Sequence, residues 1–357
     1  MIDPDAGGPS GDITPAVSII MPVRNERAHI EAAVQSALDQ DLDVPFEVIV
    51  ADGASDDGTR EILDDYAARD RRLQIVANPY RTTPCGLNQA LRAVHGQYFV
   101  RLDGHSVAPP DYARRLLDRL ESGQCDGAGG LVRAVGRSRF GKAVAKVHGS
   151  RFAIGNAQQH YARTPIFVDH VAHGAYSTER ARVIGGFDEE FTRNQDYEFN
   201  YRYHSAGGRL LLDPSAPFDW NVRETPSRLA QQYFQYGYWK FRALRRHPSS
   251  LHLRWLVPPA FVLTVALGSI GARKSAGRHV LAAAVGPYAA LIAAGSVSNA
   301  RTLGSRSIPL TALALVIIHV SWGSGFLAAA AQLGEEQAAI ASSRTLNSLR
   351  RAVQRRR

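Results

Sequence analysis

Three acidic segments of the chain carry side chains that could do chemistry, and the first of these segments has two parts. Residues 22–26 read Pro-Val-Arg-Asn-Glu, and residues 52–59 read Asp-Gly-Ala-Ser-Asp-Asp-Gly-Thr. A carboxylate at a strand end, such as Asp52, can accept the N3–H of a uracil ring, while a Gly/Ser/Asp turn lets backbone N–H groups approach a nucleotide closely. Each part alone could be a turn and a helix N-cap. The two parts at this spacing favour a nucleotide site.

The second segment, residues 101–105, reads Arg-Leu-Asp-Gly-His and precedes a Pro-Pro turn. Asp103 and His105 lie two residues apart, so in an extended segment they point to the same side and can bind one divalent cation. Carboxylate oxygen and imidazole nitrogen suit Mn²⁺ or Mg²⁺. Such a cation would neutralise a diphosphate leaving group. A capping Asp and a surface His are the alternative interpretation.

The third segment combines Gly-Gly-Phe-Asp-Glu-Glu-Phe at residues 185–191 with Asn-Gln-Asp-Tyr-Glu-Phe at residues 194–199. An ionised Asp196 at a helix start could remove the proton from an acceptor hydroxyl as that hydroxyl attacks an anomeric carbon. The same residue could equally be a helix N-cap.

Between residues 17 and 102, short apolar runs alternate with stretches of helical periodicity. The first two acidic segments come at the ends of such apolar runs. Strands are predicted at 17–23, 46–51, 73–77 and 98–102, with helices at 28–38, 59–68 and 87–94. Val/Ile-rich strands that alternate with helices predict an α/β fold with a parallel sheet covered on both faces, and a ligand site beyond the carboxyl ends of the strands. Residues 123–222 should complete the sheet and supply the acceptor side.

The C-terminal third predicts membrane association. Residues 227–247 place apolar and aromatic side chains at near-helical spacing among Arg and Lys, as in an interfacial helix. Apolar segments follow at 255–272, 280–298 and 308–333. Spanning a bilayer takes about 20 residues, so the first segment is marginal. An even number of crossings keeps the basic tail inside, with the first segment interfacial or re-entrant; buried helices of a soluble protein are the alternative.

Charge is distributed unevenly along the chain. The net charge is +9, yet residues 254–333 contain six basic residues and no acid, and the first 222 residues are net acidic. The positive charge therefore indicates anionic membrane lipids as a partner and argues against nucleic acid. Residues 1–15 lack the pattern of a signal peptide and predict a disordered leader before a cytoplasmic domain. Cys85 and Cys125 predict reduced thiols.

The three acidic segments together resemble the GT-A glycosyltransferases of family 2, over about residues 16–245. The resemblance implies that Asp52 contacts the uridine, that Asp103 and His105 occupy the place of the metal-binding Asp-x-Asp motif, and that Asp196 is the catalytic base. Asn88, in the Gly-Leu-Asn-Gln-Ala stretch at 86–90, matches the family's Asn-containing helix start. Residues 185–190 match its Gly-Gly-Phe-Asp-Glu turn.

This family resemblance implies a direct displacement with inversion at the anomeric carbon. The sugar would move from a nucleotide-diphosphate donor, a UDP-hexose, to a polyprenyl- or other lipid-linked glycan at the cytoplasmic (inner) membrane, in exopolysaccharide or cell-envelope synthesis. The implied metal ligands are Asp103 and His105, with Mn²⁺ or Mg²⁺ as cofactor. The residues implied to bind the nucleotide sugar are Pro22, Asn25, Glu26, Asp52, Ser55, Asn88 and Asp103.

Some positions depart from the family pattern. His105 replaces the second Asp of the metal motif, and Gln195 replaces the acid that precedes the base. Residues 232–240 are only loosely similar to the Gln-x-x-Arg-Trp motif of processive synthases, and the chain looks most like the succinoglycan-pathway glucosyltransferase branch. A processive polysaccharide synthase and a catalytically silent nucleotide-binding membrane scaffold stay open as alternatives. A dinucleotide-dependent oxidoreductase is disfavoured because no Gly-x-Gly-x-x-Gly follows the first strand.

The predicted organisation has five parts. They are a leader at 1–15, a catalytic domain at 16–222, an amphipathic interfacial region at 223–253, transmembrane helices within 254–333 and a basic tail at 334–357.

Overall fold

The structure is a computed structural model, which describes the backbone of residues 15–155 and 157–354. Side chains are described within these ranges except for Ile154 and residues 335–354. The predicted disordered leader, apart from Pro15, and the Arg side chains of the predicted basic tail therefore lie outside the described residues.

Within the described residues, one mixed sheet of eight strands leads into the acidic segments. Its strands are β1 Val17–Val23, β2 Phe46–Asp52, β3 Leu73–Ala77, β4 Tyr98–Arg101, β5 Gly127–Val135, β6 Ile166–Phe167, β7 Ala175–Ser177 and β8 Leu210–Asn221. They lie in the order β3-β2-β1-β4-β7-β5-β8-β6. The first four pair in parallel, whereas β7 is antiparallel to both β4 and β5, and β6 is antiparallel to β8.

Helices cover the sheet and continue beyond it. They are α1 Ile30–Leu38, α2 Thr59–Arg69, α3 Thr83–Ala93, α4 Tyr112–Glu121, α5 Arg139–His148, α6 Arg151–Ile154, α7 Thr178–Val183, α8 Gln195–Ser205, α9 Pro226–Arg246, α10 Val257–Ile270, α11 Ser275–Leu303 and α12 Ile308–Gln354. The predicted α/β fold class is confirmed, and the strands and helices predicted before residue 103 all form with small differences at their ends. Residues after 123 complete the sheet as antiparallel strands.

Strand β1 is buried on both of its faces, which explains why its sequence is a continuous apolar run. Ile19 and Met21 belong to one buried cluster, and Ile20 belongs to the cluster on the opposite face. Successive side chains of a strand point to opposite faces, so a strand covered on both sides buries all of them. This double burial holds β1 and its neighbours rigidly, so the loops at their carboxyl ends start from fixed points.

The described chain forms two compact units. The first, residues 15–133 and 158–220, contains most of the sheet and all of the predicted site residues. The second unit contains residues 221–354 together with the segment 134–157, of which residue 156 is not described. Placing 134–157 with the C-terminal helices differs from the predicted boundary at residue 222. The five-part organisation itself stays a prediction.

Three C-terminal helices are long and apolar enough to cross a membrane. They comprise Leu253–Ile270, Ser275–Leu303 and Ser305–Gly334, with mean hydropathies of 1.6, 1.8 and 1.8. They overlap the predicted apolar segments, with differences of one to five residues at each end. The number of crossings and the re-entrant character of the first segment stay predictions.

Glycines let the predicted amphipathic helix pack closely against the last apolar helix. A Cβ atom built on Gly237 of α9 would lie 1.9 Å from the carbonyl oxygen of Trp322 in α12. A Cβ on Gly325 of α12 would lie 1.9 Å from the carbonyl oxygen of Phe234. The two backbones therefore approach each other where small residues replace side chains, as in membrane helix pairs.

We expect Gly237→Ala to weaken this helix pair by about 1–3 kcal/mol, because the added methyl group must displace backbone atoms of α12. The measurement is the unfolding midpoint of the full chain in detergent. Gly286→Ala is the matched control, because a Cβ at Gly286 in α11 meets no atom within 4 Å. Equal midpoints for the two variants would contradict the close packing of α9 and α12.

Candidate active site

The ends of β1 and β2 place the first acidic segment. Asp52 is the last residue of β2 and pairs with Val23, the last residue of β1. Its side chain is buried, and Oδ1 accepts hydrogen bonds from the backbone N–H of Ser55 at 3.2 Å and from the Ser55 hydroxyl at 2.7 Å. The Arg60 guanidinium lies 3.9 Å from Oδ2. The carboxylate is thus fixed at the sheet edge, where a nucleobase could reach it.

The loops after β1 and β2 are joined by reciprocal hydrogen bonds. The Asn25 backbone N–H donates to the Ser55 hydroxyl at 3.0 Å, and its side-chain amide donates to the Asp56 carboxylate at 2.8 Å. Asp56 N–H returns a bond to Asn25 Oδ1 at 3.0 Å. Asn25 itself adopts φ 54°, a left-handed conformation that Asn tolerates better than most residues. Asn25, Ser55 and Asp52 therefore form one connected group, and their predicted contact with a nucleotide stays a prediction.

Pro22 and Glu26 flank this group. Pro22 lies within β1, and a Cβ built on Gly86 of α3 would lie 3.3 Å from the Pro22 Cβ, so α3 packs directly on the strand. The Glu26 backbone N–H donates to the Thr59 hydroxyl at 2.9 Å, while its carboxylate faces His105. Both residues lie at the nucleotide edge, although their direct contact with a donor stays a prediction.

Asn88 lies at the edge of the site and uses its whole amide within the protein. Its Oδ1 accepts from the Phe187 backbone N–H at 2.8 Å, and its Nδ2 donates to the Phe187 carbonyl and the Glu189 carboxylate, both at 2.9 Å. These bonds join α3 to the turn at 185–191. In this arrangement Asn88 holds the turn, and its predicted contact with the donor stays a prediction.

The same turn is fixed from α8 by a buried ion pair. Glu198 is fully buried and accepts from Arg202 at 2.6 and 2.7 Å. Arg202 also donates to the carbonyls of Ile184 and Gly186. Gly185 and Gly186 both have positive φ, which explains the paired glycines at these positions. The role of Glu198 was not anticipated from the sequence, although the i, i+4 spacing of acid and Arg could have indicated it.

Asp103 lies just beyond β4 between two cationic or potentially cationic side chains. Its Oδ1 is 3.0 Å from the guanidinium of Arg101, and its Oδ2 is 3.1 Å from Nε2 of His173. Burial opposes ionisation of Asp103, but Arg101 and His173 outweigh it and hold the pKa of Asp103 well below its usual value. The carboxylate is therefore ionised at neutral pH.

His105, the second predicted metal ligand, pairs with an acid from the first loop. Its Nδ1 lies 3.1 Å from the Glu26 carboxylate. Gly104 makes this approach possible, because a Cβ there would lie 2.8 Å from Cγ2 of Val23. The Asp-Gly-His segment therefore lies directly beside the end of β1, next to the group around Asp52.

The side chains of Asp103 and His105 suit a cation that is coordinated partly by the protein and partly by the diphosphate of a bound donor. Among the described residues, no group of three or more His, Cys, Asp or Glu side chains is placed to hold a metal ion alone. Mg²⁺ and related cations are, however, commonly held by one or two protein ligands together with substrate phosphates. The ionised carboxylate of Asp103 and the imidazole of His105 could supply such ligands.

Asp196 lies in the first turn of α8, and its side chain is one-third exposed. Its Oδ1 accepts from the backbone N–H of Tyr197 at 2.8 Å, and its Oδ2 lies 3.7 Å from Nε2 of His170. Burial raises the pKa of Asp196, but His170 and Arg101 outweigh that effect and lower it below its usual value. The Asp103 charge acts in the opposite direction. Asp196 is therefore an ionised carboxylate that can accept a proton.

Arg101 connects the second and third acidic segments. It is buried at the end of β4, and its pKa is affected first by burial, which lowers it, and then by Asp103 and Asp196, which raise it overall. The structure thus brings Asp103 and Asp196 within electrostatic range of one buried guanidinium. Arg101, His170 and His173 are not among the site residues predicted from the sequence.

These features lie at the carboxyl ends of the parallel strands of an α/β sheet of the GT-A kind. The family described as glycosyl transferase family 2 matches residues 18–185. The chain is 30% identical over 312 residues to the succinoglycan biosynthesis protein ExoA of Rhizobium meliloti strain 1021, covering 86% of this chain and 93% of that protein. It is 26% identical over 226 residues to the uncharacterised glycosyltransferase EpsJ of Bacillus subtilis strain 168, covering 61% and 63%.

A solved structure supports the fold over most of the chain. The mannosyltransferase PcManGT from Pyrobaculum calidifontis, in complex with GDP-Man and Mn²⁺, matches with a TM-score of 0.55 and 20% identity, covering 90% of each chain. The present chain belongs to glycosyltransferase family 2. The predicted enzyme class is confirmed, as is the predicted resemblance to the succinoglycan branch.

We expect Asn88→Ala to lower the free energy of unfolding by about 1–3 kcal/mol, because it removes the bonds that join α3 to the turn. Affinity for UDP should change little if the amide acts only within the protein. The measurements are the unfolding midpoint and UDP binding by calorimetry, with Gln89→Ala on the same helix as control. An unchanged midpoint with weakened UDP binding would instead assign Asn88 to the donor.

Proposed function

We propose that the protein is an inverting glycosyltransferase that moves a hexose from a UDP-sugar to a lipid-linked glycan in exopolysaccharide or cell-envelope synthesis. The observation that carries this proposal is the placement of three ionisable acids at one sheet edge. Asp52 and Asp103 flank the end of β1, and Asp103 and Asp196 share the field of Arg101.

The uridine would bind at the end of β2. Ser55 occupies Oδ1 of Asp52 with two hydrogen bonds, so Oδ2 is the oxygen that can accept the N3–H of uracil. Guanine also presents ring N–H donors, so Asp52 alone does not select the base. Pro22, Asn25 and Glu26 lie on the same edge and would surround the nucleoside.

The diphosphate would lie beside Asp103 and His105, with a divalent cation between them. A bound Mn²⁺ or Mg²⁺ would neutralise charge that develops on the departing diphosphate. The mannosyltransferase of similar fold was solved with GDP-Man and Mn²⁺, which supports both a nucleotide-sugar donor and a cation for this chain. Arg101 keeps Asp103 ionised, and an ionised carboxylate is what a cation ligand requires.

Asp196 would act as the general base. As the acceptor oxygen forms a bond to the anomeric carbon, its proton passes to the Asp196 carboxylate. The bond from the anomeric carbon to the diphosphate oxygen breaks on the opposite side, and its electron pair leaves with the nucleoside diphosphate. One displacement inverts the anomeric centre without a covalent enzyme intermediate.

The acceptor would be anchored in a membrane. The three apolar helices, and the Arg and Lys residues of α9, would hold the protein at a surface rich in anionic lipids, with the catalytic unit in the cytoplasm at the inner membrane. An acceptor linked to a polyprenyl or other lipid would then reach the site at high effective concentration. Similarity to a succinoglycan biosynthesis protein supports a glycan acceptor of this kind. No role for nucleic acid is proposed.

We expect Asp196→Asn to lower kcat by about 10²–10⁴-fold, because the amide cannot accept the proton in the transition state. UDP binding should persist, since the nucleotide contacts lie elsewhere in the site. The measurements are single-turnover transfer and calorimetry with UDP. Asp118→Asn, an exposed acid on α4, is the control. Transfer at the wild-type rate by Asp196→Asn would remove this residue from the base role.

We expect membranes that contain the protein to transfer hexose from a UDP-sugar, in a panel that also includes GDP- and dTDP-sugars, with Mn²⁺ or Mg²⁺ present. Mass analysis of the lipid extract should show one added hexose per acceptor. A ladder of products would indicate a processive synthase instead. A panel in which no donor is consumed would favour the silent scaffold.

A further inference from the structure

His170 lies on the segment between β6 and β7 and faces the predicted base. Its Nε2 is 3.7 Å from Oδ2 of Asp196, and its side chain is four-fifths buried. The ring packs at 6.0 Å, centroid to centroid, from the ring of Tyr197, the residue after Asp196. A histidine at this position could accept a proton, share one or donate one, and the three roles require different protonation of its ring.

Asn200 determines which ring nitrogen of His170 carries the proton. Asn200 is fully buried one turn after Asp196, and its Nδ2 lies 2.7 Å from the Asp196 carbonyl and 3.0 Å from the Val171 carbonyl. Its Oδ1 accepts from the Tyr176 hydroxyl at 3.1 Å. Carbonyl oxygens can only accept hydrogen bonds, so the amide must present its NH₂ group to them. The orientation of the Asn200 side chain is therefore settled by its neighbours.

The same NH₂ group lies 3.1 Å from Nδ1 of His170. The NH₂ group has two hydrogens for three acceptors, so its contact with Nδ1 shares a hydrogen with a carbonyl. A protonated Nδ1 would direct its N–H at this donor, which favours an unprotonated Nδ1. The proton of the neutral ring is then on Nε2, the nitrogen that faces Asp196. A doubly protonated ring would direct an N–H at the NH₂ group of Asn200, which disfavours it. The protonated Nε2 then faces the carboxylate across 3.7 Å, a distance at which the attraction is electrostatic and longer than a hydrogen bond.

We propose that His170, held by Asn200, is a positioning residue that orients the Asp196 carboxylate and keeps it ready to accept the acceptor proton. This inference rests on the proposed base role of Asp196. With its proton on Nε2 and its Nδ1 occupied, the ring cannot itself remove a proton from the acceptor. It acts through Asp196, in the way that an outer hydrogen-bond partner fixes the orientation of a metal-ligating histidine.

Other charged groups around Asp196 act in different ways. Arg101, on β4, also stabilises the ionised form, whereas Asp103 just beyond β4 destabilises it. The backbone N–H of Tyr197 fixes Oδ1. His170 is the side chain that faces Oδ2 in this set, so its removal should leave that oxygen free to rotate away from the acceptor while the rest of the site stays in place.

The first test reads the protonation of the ring without any substrate. The full chain, labelled with ¹⁵N-histidine in detergent micelles, should show one ring with a protonated Nε2 and an unprotonated Nδ1 at neutral pH. That signal should disappear in His170→Gln and persist in His204→Gln, which removes an exposed histidine of α8. The signal that is lost in His170→Gln belongs to the His170 ring. If that signal shows a proton on Nδ1, or on both nitrogens, the proposal is overturned.

The second test separates positioning from folding. His170→Phe should lower kcat by about 10–100-fold, the cost of a misplaced catalytic group, while KM for the donor stays near wild type. Because the interaction with His170 that favours the ionised form of Asp196 is lost, the acidic limb of the kcat/KM profile should move to higher pH. His170→Gln places an NH₂ group where Nε2 was and should restore most of the rate.

The two variants and Asp196→Asn together distinguish the possible failures. In one outcome, Asp196→Asn is inactive, whereas His170→Phe keeps the wild-type kcat and the wild-type acidic limb. That outcome would overturn the positioning role of His170 and leave the base role of Asp196 intact. An active Asp196→Asn would overturn the proposed base itself. Equal losses in His170→Phe and His170→Gln, with a lowered unfolding midpoint in both, would show that His170 serves the fold and would also overturn the proposal.

Discussion

One buried cation allows two acids to stay ionised beside each other in this site. Desolvation and mutual repulsion both favour protonation of neighbouring carboxylates, so an unpaired Asp103 next to Asp196 would tend to hold a proton. Arg101, buried at the end of β4, opposes that tendency for both acids, together with His173 for Asp103 and His170 for Asp196. The proposed chemistry needs one acid as a cation ligand and the other as a base, and both roles require the ionised form. The Arg101 guanidinium therefore helps Asp103 and Asp196 to take these two proposed roles.

The sheet supplies the rigidity that this charge arrangement needs. Arg101 is anchored by its own backbone N–H, which donates to the Gly174 carbonyl at the start of β7, so the antiparallel neighbour of β4 also holds the cation in place. His173, on the same connection, reaches Asp103, and its carbonyl accepts from the Tyr112 hydroxyl at 2.7 Å. A histidine with φ of 49° is a costly conformation, and these contacts stabilise it. The segment before β7 is thus built to bring imidazoles to the acids.

The sequence was sufficient for the parts of the fold that depend on local pattern. Val17–Val23 and Phe46–Asp52 are apolar on both faces, and such runs between helical segments have few other interpretations. Asp52 and Asp103 could be placed because a strand end fixes where the next side chain lies. Helix ends were less accurate, since α3 begins at Thr83, where Pro84 suits the first turn, and the apolar periodicity starts later.

The parts that escaped the sequence depend on contacts between distant segments. Nothing near Arg101 in the chain shows that its guanidinium is buried within electrostatic range of Asp196, because that requires the register of β4 against β7. His170 and Asn200 are 30 residues apart, and their hydrogen bond appears only when α8 packs against the segment before β7. A lone histidine in a loop carries no periodic signal. Residues that position a catalytic group are therefore harder to infer than the group itself, because their identity is set by packing and their chemistry is shared with ordinary structural residues.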